Sequence, residues 1–348
     1  MRIAVIGAGA IGGLVAGYLK LKGEEVSLVG RPEAVRAINE KGLQISGVRG
    51  HLQVSIPGTE ELNSPADLAI LATKSNDLEA AVKDNFEFIR GAQVLTAQNG
   101  IRADTLVAQY LPQENIISSI VMFGVTCLEP GKIVHNFEGS WVLGRPFVSN
   151  DAAIIKVSEI LKQIFPVIVS AEIKGMKLLK VFVNANNCIP ALLGMSMQEA
   201  FADLEISRIS MAIWREGLGV VKKSGISLFS LPDFPLERLE KLAGLPLAEA
   251  AKIYSGIMSH LSQEPLYGSI YQSIKRGRPS EIDYLNGEFV NLARENHLSA
   301  PLNAKLTEMV HRVEATKSFF TKEQLIRETA NFVNEISKSQ IPILFLGF

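Results

Sequence analysis

The sequence has few of the residues that build metal and redox sites. It contains 2 cysteines and 5 histidines. Cys127 and Cys188 match no metal or redox spacing, and the histidines show no H-x-x-x-H pattern. We therefore expect no metal site, and the two cysteines suit the reducing cytoplasm.

A strong charge imbalance and a long apolar run are also missing. The formal net charge is −1 with lysines and arginines scattered, which excludes the basic footprint of a nucleic-acid-binding protein. No unbroken apolar run reaches transmembrane length, and a strand begins almost at residue 1, so we expect neither a membrane span nor a signal peptide. We expect the short apolar tail, residues 341–348, to dock on a core or subunit surface. The sequence leaves open whether the chain forms a homodimer.

The chain has 348 residues, a length typical of two domains. Residues 3–6 read as a buried strand, followed by Gly7-Ala8-Gly9-Ala10-Ile11-Gly12 and a helical stretch over 14–22. A G-x-G-x-x-G motif between a strand and a helix is the dinucleotide fingerprint. Its glycines allow a tight turn, close approach of a pyrophosphate and close helix packing, and the helix N-terminus offers N–H groups. We predict that these six residues bind a dinucleotide.

The end of the second predicted strand, residues 25–29, bears on which dinucleotide is bound. An NAD-binding fold usually has a carboxylate there, whereas this chain has Gly30-Arg31. A guanidinium pairs with a 2′-phosphate, so the sequence favours NADP(H). The alternative is a solvated arginine that opens the next helix.

Two further strand ends carry polar residues. The strand predicted over 66–72 leads to Lys74, and the strand over 93–97 leads to Asn99. Because open α/β sheets bind ligands at the carboxyl ends of their strands, both side chains are expected to face the cofactor. The alternatives are a solvated charge for Lys74 and turn chemistry for Asn99, which precedes a glycine.

The pattern predicts strands over 116–126 and 132–143, separated by a turn at residues 129–131, and a closing strand over 167–170. We place a Rossmann-like α/β domain at residues 1–170 and an all-α domain at 171–348. Helices are predicted over 301–313 and 322–336. The proline- and leucine-rich segment 227–246 indicates a loop with short helices near the substrate or a partner.

One predicted helix, residues 177–193, is strongly apolar except for Lys180, Asn184 and Asn187. Their i, i+4 and i+7 spacing places all three on one helix face. Burying each without a partner costs roughly 2–7 kcal/mol, and a polar substrate would supply partners. The alternative is a buried polar network between helices. Pro190 removes a backbone donor and predicts a kink just beyond the polar residues.

A last stretch of interest follows Ser269. Residues 280–287 are predicted to start a helix with Ser280 as N-cap, close to a capping box with Asp283. Glu281 would then occupy the first helical position. A carboxylate there is also explained by the helix dipole alone.

Taken together, these stretches resemble the ketopantoate reductases (2-dehydropantoate 2-reductases), within the larger group that resembles 6-phosphogluconate dehydrogenases. The resemblance rests on the glycine motif with Arg31, Lys74, residues 98–100, the Lys180/Asn184/Asn187 helix, and Ser269 followed by Ser280-Glu281-Ile282-Asp283-Tyr284. It implies NADPH as hydride donor and a 2-keto acid as acceptor. The first choice of acceptor is ketopantoate, reduced to pantoate in pantothenate and coenzyme A biosynthesis.

The resemblance also implies residue roles. Lys180 would be the general acid, and Glu281 its acidic partner. Asn184 and Ser269 would bind the substrate hydroxyl and carboxylate, and Asn187 and Asn99 would join the substrate site. Lys74 and Asn99 would lie beside the cofactor. The chain departs from the family at Asp77 (usually Gln), Leu178 (often Trp) and Ser273 (usually Asp). Two alternatives stay open: a reductase of another branched keto acid or of an imine, as in opine dehydrogenases, and a non-catalytic NADP(H) sensor.

Overall fold

The structure is a computed structural model that describes residues 1–262 and 264–338. The apolar tail that we predicted to dock lies outside the described residues. The chain divides into two compact units, Met1–Lys177 and the part that begins at Leu178. The boundary predicted near residue 171 lies a few residues before this division.

The first unit contains two sheets. Its strands are β1 (Arg2–Ile6), β2 (Glu25–Val29), β3 (Leu43–Gly47), β4 (Leu52–Val54), β5 (Gly58–Thr59), β6 (Leu68–Leu71), β7 (Gln93–Thr96), β8 (Ile116–Val121), β9 (Gly124–Glu129), β10 (Lys132–Phe137), β11 (Trp141–Gly144) and β12 (Val167–Val169). The larger sheet has eight strands in the order β12-β11-β8-β7-β6-β1-β2-β5, and the smaller has four in the order β4-β3-β10-β9. In the larger sheet, the neighbouring strands β5, β2, β1, β6, β7 and β8 run parallel, whereas β11 pairs antiparallel with β8.

The parallel strands are apolar because both faces of the larger sheet are covered. In β1, Ile3 and Val5 join one hydrophobic core, and Ala4 and Ile6 join another. The helices of this unit and the helix that ends it are α1 (Ala10–Leu21), α2 (Pro32–Lys41), α3 (Leu78–Asp84), α4 (Phe86–Ile89), α5 (Ala103–Val107), α6 (Ala152–Lys162) and α7 (Ile173–Ala185). The order strand, helix, strand brings the carboxyl ends of the parallel strands to one edge of the sheet.

Two of the strand predictions were wrong in extent. The run 116–126 forms β8 and β9, and the run 132–143 forms β10 and β11. In each run one strand belongs to the larger sheet (β8, β11) and the other to the smaller sheet (β9, β10). The crossings lie at residues 122–123 and 138–140, where the backbone N–H of Met122 donates to the carbonyl of Ser140. The predicted turn at residues 129–131 is confirmed, with Gly131 at φ +79°.

The second unit is largely helical, as predicted. After the end of α7 its helices are α8 (Cys188–Leu193), α9 (Met197–Phe201), α10 (Leu204–Lys223), α11 (Leu236–Gly244), α12 (Leu247–Met258), α13 (Ser269–Lys275), α14 (Asn286–Glu295), α15 (Pro301–Thr316) and α16 (Lys322–Lys338). Helix α10 is the centre of this unit, because it contacts α9, α11, α12, α14, α15 and α16. Its Trp214 donates through Nε1 to the carbonyl of Phe182 on α7 at 2.7 Å, and the two elements are thereby joined.

Further local features of this unit concern a segment, a helix start and helix length. Segment 227–246 consists of irregular chain followed by the short helix α11, as predicted. Thr321 and Gln324 form the reciprocal hydrogen bonds of a capping box at the start of α16. Within the described residues, no helix combines the length and the apolar content that a membrane span requires.

Candidate active site

The glycine turn that follows β1 has the shape that a bound pyrophosphate needs. Gly7 has φ +117°, and a Cβ atom on it would lie 2.6 Å from backbone atoms of Ala72 and Thr73. A Cβ on Gly12 would lie 1.9 Å from the carbonyl oxygen of Gly7, whereas nothing lies within 4 Å of the Cβ position of Gly9. The outer glycines are therefore required by packing, and the middle glycine leaves the backbone open to a ligand.

Helix α1 begins at Ala10, directly inside this turn. Gly9 is its N-cap without a side-chain cap, and the first turn contains no acidic residue. The N–H groups of a first helical turn have no partner within the helix and carry a partial positive charge. The segment Gly7–Gly12 can therefore bind the phosphates of a dinucleotide.

The other residues predicted to bind cofactor lie beyond β2, β6 and β7. Arg31 follows β2, Lys74 follows β6 and Asn99 follows β7, and the sheet order is β7-β6-β1-β2. Arg31 is the N-cap residue of α2, which is the position that the alternative of a solvated arginine opening the next helix gives it. The structure thus brings Gly7, Arg31, Lys74 and Asn99 to one edge of the parallel sheet.

Gln98 holds two of these strand ends together, a role that sequence reasoning missed. Its buried side-chain amide donates to the carbonyls of Leu71 at 2.9 Å and Thr73 at 3.0 Å. The hydroxyl of Ser75 lies 3.5 Å from the carbonyl oxygen of Asn99. These contacts place the segment of Lys74 beside that of Asn99.

A buried ion pair inside the first unit was also missed. Lys177 Nζ lies 3.1 Å from Asp104 Oδ2, and the two side chains are 4% and 7% exposed. The hydroxyls of Thr96 and Ser118 donate to the same carboxylate at 2.5 and 2.6 Å. These residues come from four separate segments, so no local pattern signals the cluster. Lys177 lies three residues before Lys180 on α7.

The polar face of α7 is shorter than predicted. Lys180 and Asn184 share one face of the helix, but α7 ends at Ala185, and Asn187 becomes the N-cap residue of α8. The break follows from Pro190, which has no N–H to donate to the Asn186 carbonyl, so Ile189 N–H donates there instead, at 3.1 Å. The expected i+7 position of Asn187 on the same face is therefore wrong. The helix is interrupted as predicted, but at residues 186–187 and not just beyond the polar residues.

Lys180 is partly buried and electrostatically unusual. Removal of its ammonium from water lowers the pKa of Lys180 to about 8, while the charge of Asp233 acts in the opposite direction and raises it. Such a lysine still carries its proton at neutral pH but releases it more readily than an ordinary lysine does. That property suits a proton donor that works near neutral pH.

Asn187 lies close to the segment of Ser269, because Gly268 packs against it. Gly268 is the N-cap of α13, and a Cβ atom on it would lie 3.0 Å from Cβ of Asn187. The start of α13, where Ser269 is the first residue, therefore packs closely on the start of α8. The structure brings these two predicted substrate residues into the same part of the second unit.

The segment that contains Glu281 differs from the prediction. Glu281 precedes a short 3-10 turn, Ile282–Tyr284, and the α-helix begins only at Asn286. The Ser280 hydroxyl accepts from Ile282 N–H at 3.3 Å, as an N-cap would. The backbone N–H of Ser280, which a capping box would pair with Asp283, donates to Glu314 at 2.6 Å, and Asp283 Oδ1 lies 3.0 Å from His311 Nε2. The predicted first helical position of Glu281 is therefore wrong.

His311 and Glu314 on α15 hold the same segment from outside. His311 Nδ1 lies 2.9 Å from Glu314, and the other oxygen of that carboxylate accepts from Ser280 N–H at 2.6 Å. Burial lowers the pKa of His311, but the two carboxylates outweigh it and leave that pKa raised. Neither residue was predicted from the sequence.

Comparisons with known proteins bear on the family and the fold. The family described as "Ketopantoate reductase PanE/ApbA" matches residues 3–146, and its C-terminal family matches residues 172–314. The 2-dehydropantoate 2-reductase of Pyrococcus abyssi is 31% identical to this chain over 90% of it and 98% of the relative. The same enzyme of Pyrococcus horikoshii is 29% identical over the same shares.

Solved structures give the same fold. A structure of D-mandelate dehydrogenase with NADH and anilino(oxo)acetate is 27% identical, with a TM-score of 0.79 over 91% of this chain and 99% of that one. A PanE/ApbA family ketopantoate reductase from Ralstonia eutropha has a TM-score of 0.77 at 24% identity, over 91% of this chain and 99% of that one, and supports the fold.

Proposed function

Because the chain belongs to the ketopantoate reductase family and is an oxidoreductase of it, we propose that it reduces a 2-keto acid with NADPH, and that ketopantoate is the acceptor. The observation that carries the proposal is Lys180: a partly buried ammonium with a pKa of about 8, one helical turn before Asn184. The two relatives at 31% and 29% identity are 2-dehydropantoate 2-reductases, and this favours ketopantoate.

The first unit fits a nicotinamide dinucleotide. The backbone of Gly7–Gly12 would hold the pyrophosphate, since the open position at Gly9 and the α1 N-terminus together favour an anion. Arg31 would pair with the 2′-phosphate, and Lys74 and Asn99 would lie beside the cofactor. When bound, the reduced nicotinamide supplies the hydride.

The second unit provides the proton and the substrate contacts. Reduction of a ketone adds a hydride to the carbonyl carbon and leaves negative charge on the oxygen, which needs a proton or a cation. We assign the proton to the Lys180 ammonium, which becomes a neutral amine and regains a proton from solvent. Glu281 would hold this ammonium, and Asn184 and Ser269 would bind the substrate hydroxyl and carboxylate.

A second acceptor class is an aryl 2-keto acid. The observation in its favour is the 27% identity and the TM-score of 0.79 to a D-mandelate dehydrogenase with NADH. The same catalytic residues would serve both acceptors, because the ketone and the carboxylate are common to them. An imine acceptor and a non-catalytic NADP(H) sensor are the further alternatives.

A panel of acceptors separates these functions. The purified protein is mixed with NADPH or NADH and with ketopantoate, phenylglyoxylate, a branched aliphatic keto acid, or a keto acid with an amino acid for imine reduction. Oxidation of the cofactor is followed by absorbance. We expect the highest kcat/KM with ketopantoate and NADPH. A higher value with phenylglyoxylate would favour the mandelate-type enzyme, activity only with an amino acid present would favour the imine, and cofactor binding without any turnover would favour the sensor.

A further inference from the structure

Arg31 forms an ion pair with an acidic residue beyond a neighbouring strand. Arg31 Nη2 lies 2.8 Å from Asp77 Oδ2, and the side chains are 50% and 47% exposed. Arg31 follows β2, and Asp77 ends the 3-10 turn Ser75–Asp77 beyond β6. Strands β2 and β6 lie on either side of β1, so the pair lies at the edge of the sheet that also carries the glycine turn.

The side chain of Asp77 is not used by its own helix. Asp77 occupies the N-cap position of α3, where an aspartate commonly accepts a hydrogen bond from the first helical turn. Here it makes no side-chain cap hydrogen bond, and its carboxylate turns to Arg31 instead. The carboxylate therefore pairs with Arg31, the residue that we assign to binding the cofactor.

This arrangement combines two recognition devices that dinucleotide folds usually keep apart. A carboxylate at the end of the second strand accepts from a ribose 2′-hydroxyl, whereas an arginine there pairs with a 2′-phosphate. In this chain the cation follows β2 and the carboxylate reaches it from the loop after β6. A 2′-phosphate on Arg31 would share the guanidinium with Asp77 and would be repelled by it. A 2′-hydroxyl would meet a guanidinium already neutralised and a carboxylate that can accept its hydrogen bond.

We propose that Asp77 is a specificity-determining residue that reduces the preference for NADPH over NADH by sharing the guanidinium of Arg31. The proposal rests on the proposed function, because it requires the cofactor to bind at the edge of the sheet that carries Gly7–Gly12. It goes beyond that function, because it makes NADH a usable cofactor and assigns the reason to one carboxylate.

The test measures cofactor binding without substrate. Dissociation constants of NADPH and NADH are determined by titration calorimetry for the wild type, Asp77→Asn and Asp84→Asn. Asp84 is the matched control, because it is an exposed aspartate at the other end of α3. Asp77→Asn keeps the size of the side chain and removes the charge, and thermal melting confirms that each variant is folded.

We expect Asp77→Asn to bind NADPH about fivefold more tightly, because a partly exposed like-charge repulsion is worth a factor of this order. NADH binding should stay equal or weaken, and Asp84→Asn should change neither constant. The gain should shrink as salt is raised, since exposed charges are screened.

Three results would overturn the proposal. Weaker NADPH binding by Asp77→Asn would show that the carboxylate only orients Arg31. An NADPH-to-NADH ratio within twofold of the wild type would show that the ion pair has no part in selectivity. A wild type that binds neither cofactor would overturn the proposed function as well. If the wild type binds both cofactors and Asp77→Asn gives one of the first two results, only the role of Asp77 fails.

Discussion

Replacement of Lys177 by methionine tests the buried ion pair of the first unit. Asp104 accepts from the hydroxyls of Thr96 and Ser118 and from the Lys177 ammonium, which carries the positive charge and lies 3.1 Å from the carboxylate. In the variant, the carboxylate keeps the hydroxyls of Thr96 and Ser118 but loses its counter-charge. Breaking a buried pair costs about 3–5 kcal/mol. Because two hydrogen bonds to the carboxylate remain, we expect the free energy of unfolding to fall by about 3 kcal/mol.

Differential scanning calorimetry measures this loss. For a unit of this size, about 3 kcal/mol lowers the melting temperature by roughly 6–12 °C. The double variant Lys177→Met, Asp104→Asn is the control, because it removes both charges and should melt above Lys177→Met alone. A Lys177→Met variant within about 1 kcal/mol of the wild type would contradict a buried and interacting pair. So would a double variant whose loss equals the sum of the losses measured for Lys177→Met and for Asp104→Asn alone.

Three other charged groups give predictions of their own. Because the pKa of Lys180 is about 8 and the charge of Asp233 raises it, the rate of reduction should fall above that pH, and Asp233→Asn should move the fall to lower pH in a pH–rate profile. Glu216 accepts from two backbone N–H groups at the start of α15, so Glu216→Gln should lower the free energy of unfolding by about 1–2 kcal/mol in a urea titration, and an unchanged midpoint would refute the cap. The raised pKa of His311 means that protonation stabilises the folded state. Its contribution is complete below the unfolded pKa of about 6.5 and is lost as pH rises through the folded pKa, so the melting difference between wild type and His311→Gln should shrink over that range. A difference in melting temperature that does not change with pH would contradict a stabilising protonation of His311.

The start of the fold could be predicted because its signals are local. The strand, the glycine motif and the helix follow one another within the first 21 residues. Contacts from outside this stretch complete the turn, because the N–H of Gly7 donates to the carbonyl of Val29 and Gly7 packs on the backbone of Ala72 and Thr73. Arg31, Lys74 and Asn99 were placed from the rule that ligands meet strand ends. The parallel order of the strands then brought them to one edge.

The division of strands between two sheets could not be read from periodicity. Residues 116–126 and 132–143 are continuous runs of strand-forming residues, and alternation does not show which sheet a strand joins. Gly139 marks the change: a Cβ on it would lie 2.4 Å from the carbonyl oxygen of Met122. A glycine inside a strand pattern often indicates close backbone approach, and this signal was available.

The buried charges were out of reach for another reason. Lys177 and Asp104 are partners distant in sequence, and His311 contacts the distant Asp283 as well as the nearby Glu314. Each looks like an ordinary surface residue in its own segment. Asp77 was noted as a departure from the family's usual glutamine, but its partner Arg31 is 46 residues away. Only a tertiary structure shows that these charges are paired.

The central claim is that Lys180 gives the proton, and the variant Lys180→Met tests it most directly. Its kcat for NADPH-dependent reduction of the best keto acid is compared with that of Lys174→Met, an exposed lysine on the same helix. We expect kcat to fall by about a hundredfold or more, with an unchanged dissociation constant for NADPH and no effect in the control. Turnover by Lys180→Met near that of the wild type would contradict the assignment.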